Sequence, residues 1–153
     1  TICTGNPNCT KALFDLFVEK RSSIFSVENI DLKETKRYGI VSGTEIDTDL
    51  MLVDDLIEKP EPEAAPSLLG IQGRYIFTSD LFSHLKKTGK DSGGEIQLTD
   101  AMKSLAKVQK IYSWTSNGKR YDVGTMKDWF QSHLELSSKS EYSSVLKEVI
   151  NKL

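Results

Sequence analysis

Leu68-Leu69-Gly70-Ile71-Gln72-Gly73-Arg74-Tyr75-Ile76-Phe77 is an apolar, branched run with two glycines inside it. Such a run suits a buried strand where something approaches the backbone closely, because glycine carries no side chain to stand in the way. After it, Thr78 or Ser79 can cap a short helix through Leu85. Before it, residues 59–66 hold Pro60, Pro62 and Pro66, and proline cannot donate to a sheet ladder, so this segment is a loop. The same alternation extends outward. Ala12, Leu13, Leu16 and Phe17 recur at helical spacing, and residues 22–27 read as a strand. Residues 38–42 and 50–57 are two more strands, with Gly43 and Thr44 turning between them. Residues 86–94 are polar and glycine-rich, hence a flexible excursion. Residues 99–108 place Met102, Leu105 and Ala106 on one helical face, and residues 111–114 form the next strand. Thr125 with Asp128 resembles a capping box ahead of Trp129, Phe130 and Leu134. Val145, Leu146, Val149, Ile150 and Leu153 mark a last amphipathic helix. Helices alternating with strands argue for an α/β layered domain, and the short hairpin-like intervals favour a mixed sheet.

The chain has 153 residues, 38% hydrophobic and 27% charged, an ordinary composition from which one globular domain is expected. Twenty Lys plus Arg against 22 Asp plus Glu give a net charge of -2, so no basic field draws nucleic acid. No run approaches the ~20 apolar residues of a membrane span, and the basic-then-apolar pattern of a secretion signal is missing. The expectation is a cytoplasmic protein with neither nucleic acid nor membrane as partner. Cys3 and Cys9 alone build neither a disulfide framework nor a four-thiolate zinc site and are read as inert thiols. His84 and His133 have no carboxylate spacing that suggests zinc or a triad, and Trp114, Trp129 and Phe130 are read as core.

Four runs follow one another along the chain: Glu58-Lys59-Pro60, Gly73-Arg74-Tyr75, Gly94-Glu95-Ile96-Gln97-Leu98-Thr99-Asp100 and Tyr121-Asp122-Val123-Gly124. In that order and spacing, over residues 22–131, they resemble the carboxyl-terminal half of bacterial UTP:glucose-1-phosphate uridylyltransferases, members of the sugar-phosphate nucleotidyltransferase superfamily. The resemblance implies an α/β fold in which a mixed sheet is flanked by helices, the carboxyl-terminal part of a Rossmann-like nucleotidyltransferase fold. It implies uridylyl transfer from UTP to glucose 1-phosphate, giving UDP-glucose and pyrophosphate, with Mg2+ as cofactor and a homo-oligomer as the assembly. Residue by residue, it gives Lys59 the phosphate of the sugar and the catalytic role, since lysine is a compact point charge. Glu58 would accept from the sugar hydroxyls, Gly39 and Gly73 would let the substrate lie against the backbone, and Asp122 would hold the metal.

Taken without the resemblance, each residue has a plainer reading. Glu58-Lys59 is then a solvated pair before a loop, Asp122 a helix-capping residue beside a positive dipole end, and Gly39 a strand glycine. Tyr75 is read as core, and Glu95, Gln97 and Asp100 as groups supporting the pocket rather than touching substrate.

The pattern also breaks. The superfamily's G-x-G-T-R phosphate loop has no match here, so residues 1–153 are expected to form the sugar-phosphate-binding part of a longer enzyme, without the nucleotide-binding part and inactive alone. Leu68 stands where the family usually has asparagine, and Asp91-Ser92 replaces small residues ahead of Gly93. Two alternatives are a non-catalytic sugar-phosphate-binding or assembly module and a nucleotidyltransferase using another nucleoside triphosphate.

Overall fold

In chain order the protein forms β1 (Ile2–Cys3), α1 (Cys9–Lys20), β2 (Ile24–Asn29), β3 (Gly39–Asp47), β4 (Leu50–Glu58), β5 (Leu69–Ile76), α2 (Asp80–Leu85), α3 (Leu98–Ala106), β6 (Tyr112–Thr115), β7 (Arg120–Tyr121), α4 (Met126–Ser138) and α5 (Ser143–Ile150). Two short 3-10 turns, Leu32–Arg37 and Pro62–Ala64, lie in the connections. The computed structural model describes residues 2–91 and 93–152; Ser92 of the expected loop and Leu153 of the expected last helix lie outside the described residues. Contacts divide the chain into two units, Gly5–Gly118 and Thr1–Thr4 with Lys119–Leu153. No helix among the described residues is long and apolar enough to cross a membrane.

In the larger unit Asn8 starts α1 by accepting the N–H of Thr10 at 2.9 Å, and Arg21 ends it in the left-handed region at φ 50. The strands form the expected mixed sheet. Its order, β2-β5-β3-β4-β6, closes on itself because β6 returns parallel to β2 while the other pairings are antiparallel. Helix α1 packs on β2 and β5, α3 packs on β4, and α2 packs on α3. Phe25, Val41, Leu56 and Ile71 from the sheet meet Met102 and Leu105 from α3 in one apolar cluster, as the apolar spacing of these segments requires.

The expected turn at Gly43-Thr44 does not occur there. β3 continues to Asp47, and the hairpin turns at Thr48-Asp49, where Asp49 takes φ 61 and Asp47 Oδ1 accepts the Thr48 N–H at 2.7 Å. Gly43 sits in the strand at a register shift, and a Cβ there would stand 2.0 Å from the Leu52 carbonyl oxygen. The glycine answers a close approach of β4 at a bulge, not a turn.

Ser79 precedes α2 as expected but makes no capping bond through its side chain. In the smaller unit β1 and β7 pair antiparallel, Ile2 with Tyr121 and Cys3 with Arg120. Two-residue strands show no periodicity, and the sequence did not announce them. Thr125 caps α4 as expected, its Oγ1 accepting the Asp128 N–H at 3.1 Å. Trp114 is buried in the larger unit, but Trp129 and Phe130 are 47% and 57% exposed, against the expectation of core. Trp129 stacks on His133 one turn along α4, at 5.6 Å between ring centres.

Candidate functional site

β4 ends at Glu58, and the chain leaves the strand at the next residue. Lys59 takes φ 44 while its N–H donates to the Tyr38 carbonyl at 3.0 Å. A following proline bars the right-handed helical region, and the left-handed turn cancels the alternation that sends neighbouring strand side chains to opposite faces. Glu58 and Lys59 therefore line one cavity of about 500 Å3, with Lys59 Nζ 3.5 Å from Glu58 Oε1. Lys59 is 53% exposed and Glu58 23%, so the ammonium can reach a ligand while the carboxylate is anchored.

The anchor comes from α3. Thr99 is 5% exposed, because it shares the buried face of the helix with Met102 three residues on. Its hydroxyl donates to Glu58 Oε2 at 2.5 Å. Gly39 lies directly opposite Glu58 in the β3–β4 register. A Cβ on Gly39 would stand 3.0 Å from each of Glu58 Oε2, Thr99 Oγ1 and Ile71 Cδ1, so a missing side chain makes room for this carboxylate–hydroxyl pair.

The structure thus brings Gly39, Glu58 and Lys59 together. Gly73 has a different local reason. It takes φ 79 at a bulge where β2 advances from Phe25 to Val27 while β5 passes from Tyr75 to Ile71. Among the described residues, its chain neighbours aside, nothing lies within 4 Å of its hypothetical Cβ, and the need for glycine is conformational. Within the chain the close approach read from this strand belongs to Gly70, whose Cβ would meet Ile30 Cγ2 at 3.0 Å. Tyr75 is partly exposed and stacks on Phe77 at 5.5 Å. Burial pushes its phenol up, and the Glu58 carboxylate adds to the rise.

Asp91, Glu95, Gln97, Asp100 and Lys103 also line the cavity. Lys103 Nζ is 2.7 Å from Asp55 Oδ1 and holds that carboxyl below its ordinary range. Sequence reasoning treated Glu95, Gln97 and Asp100 as supporting groups, and it missed Thr99 and Asp91. Helical periodicity from Met102 points to Thr99. An aspartate just ahead of Gly93-Gly94 is a signal for a side chain that folds back on a turn.

Asp122 belongs to the smaller unit. It does not cap α4, since Thr125 does. Its Oδ1 accepts the Gly124 N–H at 3.2 Å, and its Oδ2 stands 3.2 Å from Nη1 of Arg120, whose side chain is 10% exposed. Among the described residues no group of three or more His, Cys, Asp or Glu side chains gathers as a metal site. Magnesium takes few protein carboxylates and keeps waters and phosphate oxygens, so Asp122 fits such an ion only as one ligand among phosphates and water.

The family model described as nucleotidyl transferase matches residues 8–139. UTP–glucose-1-phosphate uridylyltransferase 2 of Staphylococcus saprophyticus is 37% identical over 151 residues, covering 98% of this chain and 52% of that protein. UTP–glucose-1-phosphate uridylyltransferase of Bacillus subtilis is 38% identical over 127 residues, 83% of this chain and 44% of that one. Among solved structures, a crystal structure of UDP-glucose pyrophosphorylase complexed with UDP-glucose is similar at a TM-score of 0.86 and 33% identity, over 91% of this chain and 53% of that chain. The chain spans about half the length of the curated relatives it matches.

Proposed function

The chain belongs to the nucleotidyl transferase family, and from that premise we propose that it supplies the sugar-phosphate side of uridylyl transfer from UTP to glucose 1-phosphate. One observation carries this reading: a cavity in which a reachable lysine stands beside a carboxylate fixed by a buried hydroxyl. An ammonium suits a phosphate, and a carboxylate that has lost its freedom suits the hydroxyls of a sugar ring.

In the reaction, an oxygen of the sugar phosphate attacks the α-phosphorus of UTP in line. The new bond joins that oxygen to phosphorus as the bond to the β-phosphate breaks and pyrophosphate leaves. No covalent enzyme intermediate is needed, so the protein's work is positioning and charge compensation. Lys59 holds the sugar phosphate against the repulsion of the incoming nucleotide. Glu58, steadied by Thr99, accepts from ring hydroxyls, and the bare backbone at Gly39 keeps the carboxylate in that place. Gly73 presents backbone with open space above it. Asp122 would hold magnesium as one ligand, and the ion when bound would shield phosphate charge. The exposed apolar residues Val145, Val149 and Ile150 of α5 support a homo-oligomer, and the same reading places the enzyme in the cytoplasm.

Calorimetry with glucose 1-phosphate tests this, with glucose as the control for the phosphate. Binding of glucose 1-phosphate well above glucose is expected, with a loss of about tenfold or more in Lys59→Ala. Equal binding of the two sugars, or a Lys59→Ala affinity equal to that of the wild type, refutes the assignment.

A further inference from the structure

One wall of the cavity is a segment bonded mainly to itself. Asp91 Oδ1 accepts the N–H of Gly93 at 2.8 Å and of Glu95 at 2.9 Å, and Oδ2 accepts from the Gln97 side-chain amide at 2.6 Å. The Asp91 N–H returns to the Glu95 carbonyl at 2.8 Å, and Gly94 turns the chain at φ 83. Gln97 Nε2 also stands 3.5 Å from Glu95 Oε2. The Gln97 amide, followed by the Glu95 N–H, holds the Asp91 carboxyl below its ordinary range, so it is charged at neutral pH. One side chain thus fixes the position of two others that line the cavity.

The charge balance of the lining follows from that loop. Among the described residues that line the cavity, Glu58, Asp91, Glu95 and Asp100 face two cations, Lys59 and Lys103, and Lys103 is already paired with Asp55. A phosphate group engages a lysine, which leaves carboxylates around the remainder of a ligand. Neutral hydroxyls donate to carboxylates. A second anionic group on the ligand has no proton to donate and is repelled.

We propose that Asp91 is a positioning residue which holds Glu95 and Gln97 as a specificity wall, admitting a hexose phosphate whose sugar ring is uncharged and rejecting a sugar phosphate with a second anionic group, such as a hexuronic acid 1-phosphate. The ligand part of this inference rests on the cavity being a sugar-phosphate site, and its test has a ligand-free arm and a ligand arm. In the ligand-free arm, amide hydrogen exchange at Gly93 and Glu95 is followed by NMR. Exchange about tenfold faster is expected in Asp91→Ala, with protection largely restored in Asp91→Asn, which keeps an acceptor oxygen. Unchanged exchange in Asp91→Ala overturns the positioning role whatever binds. In the ligand arm, calorimetry compares glucose 1-phosphate with glucuronic acid 1-phosphate. The wild type should favour the first by about tenfold or more, and Asp91→Asn and Glu95→Gln should each narrow that ratio severalfold, since each removes one like charge from the wall. A wild-type ratio near unity, or one that neither charge variant moves, overturns the specificity wall. If neither sugar phosphate binds the wild type, the sugar-phosphate reading falls and the specificity wall with it, while the exchange data still decide the role of Asp91.

Discussion

Gly39→Ala tests the packing on which the candidate site depends. The added methyl would meet Glu58 Oε2, Thr99 Oγ1 and Ile71 Cδ1, each at 3.0 Å, where carbon contacts are comfortable at about 3.5–4.0 Å. Gly39 is buried and opposite Glu58 in the ladder, so the strain cannot be relieved by a side chain swinging into water on its own side. Ile71 can rotate its terminal methyl, but the carboxylate can move only by leaving Thr99. Overpacking of this kind costs about 1–3 kcal/mol, and loss of a hydrogen bond to a charged group about 1.5–3 kcal/mol. Partial relief, together with the roughly 0.4–1 kcal/mol that alanine contributes by restricting the unfolded chain, leaves a net loss of about 1–3 kcal/mol. For a chain of this size that lowers the unfolding midpoint by roughly 3–10 °C. Thermal unfolding followed by circular dichroism measures it, and calorimetry with glucose 1-phosphate should show weakened binding in the same variant. A midpoint and an affinity both equal to the wild type would refute the claim that Gly39 makes room for the Glu58–Thr99 pair.

Two further outcomes follow from the same geometry. Thr99→Val keeps the shape and removes the donor to Glu58, so it should weaken glucose 1-phosphate binding about tenfold while Thr99→Ser restores it; equal affinities in the three proteins would argue against anchoring. Asp55 is held below its ordinary value of 3.8, chiefly by Lys103, so its contribution to stability is complete above that value and is lost as pH falls below it. The Lys103→Met variant should therefore lose less stability than the wild type as the pH falls below 3.8 in urea titrations; identical acid dependences would remove this pair from the account.

Much of the larger unit was legible in the chain because it rests on local repetition. The apolar spacing of α1 and α3, the branched run of β5 and the prolines between β4 and β5 each carry their structure within a few residues. Glu58 and Lys59 were legible as a pair for the same reason, since Pro60 lies next to them and governs how the strand ends. The errors have a common source. Gly43 looked like a turn because the polar residues after it resemble a loop, whereas β4 supports them as a strand from the far side of a hairpin. Trp129 and Phe130 looked like core because aromatic rings usually are, and the fold of the smaller unit leaves them exposed.

The sequence by itself determined most of the helices and strands of the larger unit, and which residue types stand at the end of β4. Only the tertiary structure decided that Thr99, 41 positions from Glu58, donates to it, that Gly39 is empty on behalf of both, and that Asp91 accepts from Gly93, Glu95 and Gln97. Periodicity records a residue's relation to its own helix or strand. A hydrogen bond between elements depends on strand register and helix rotation together, and those are settled only when the apolar faces pack.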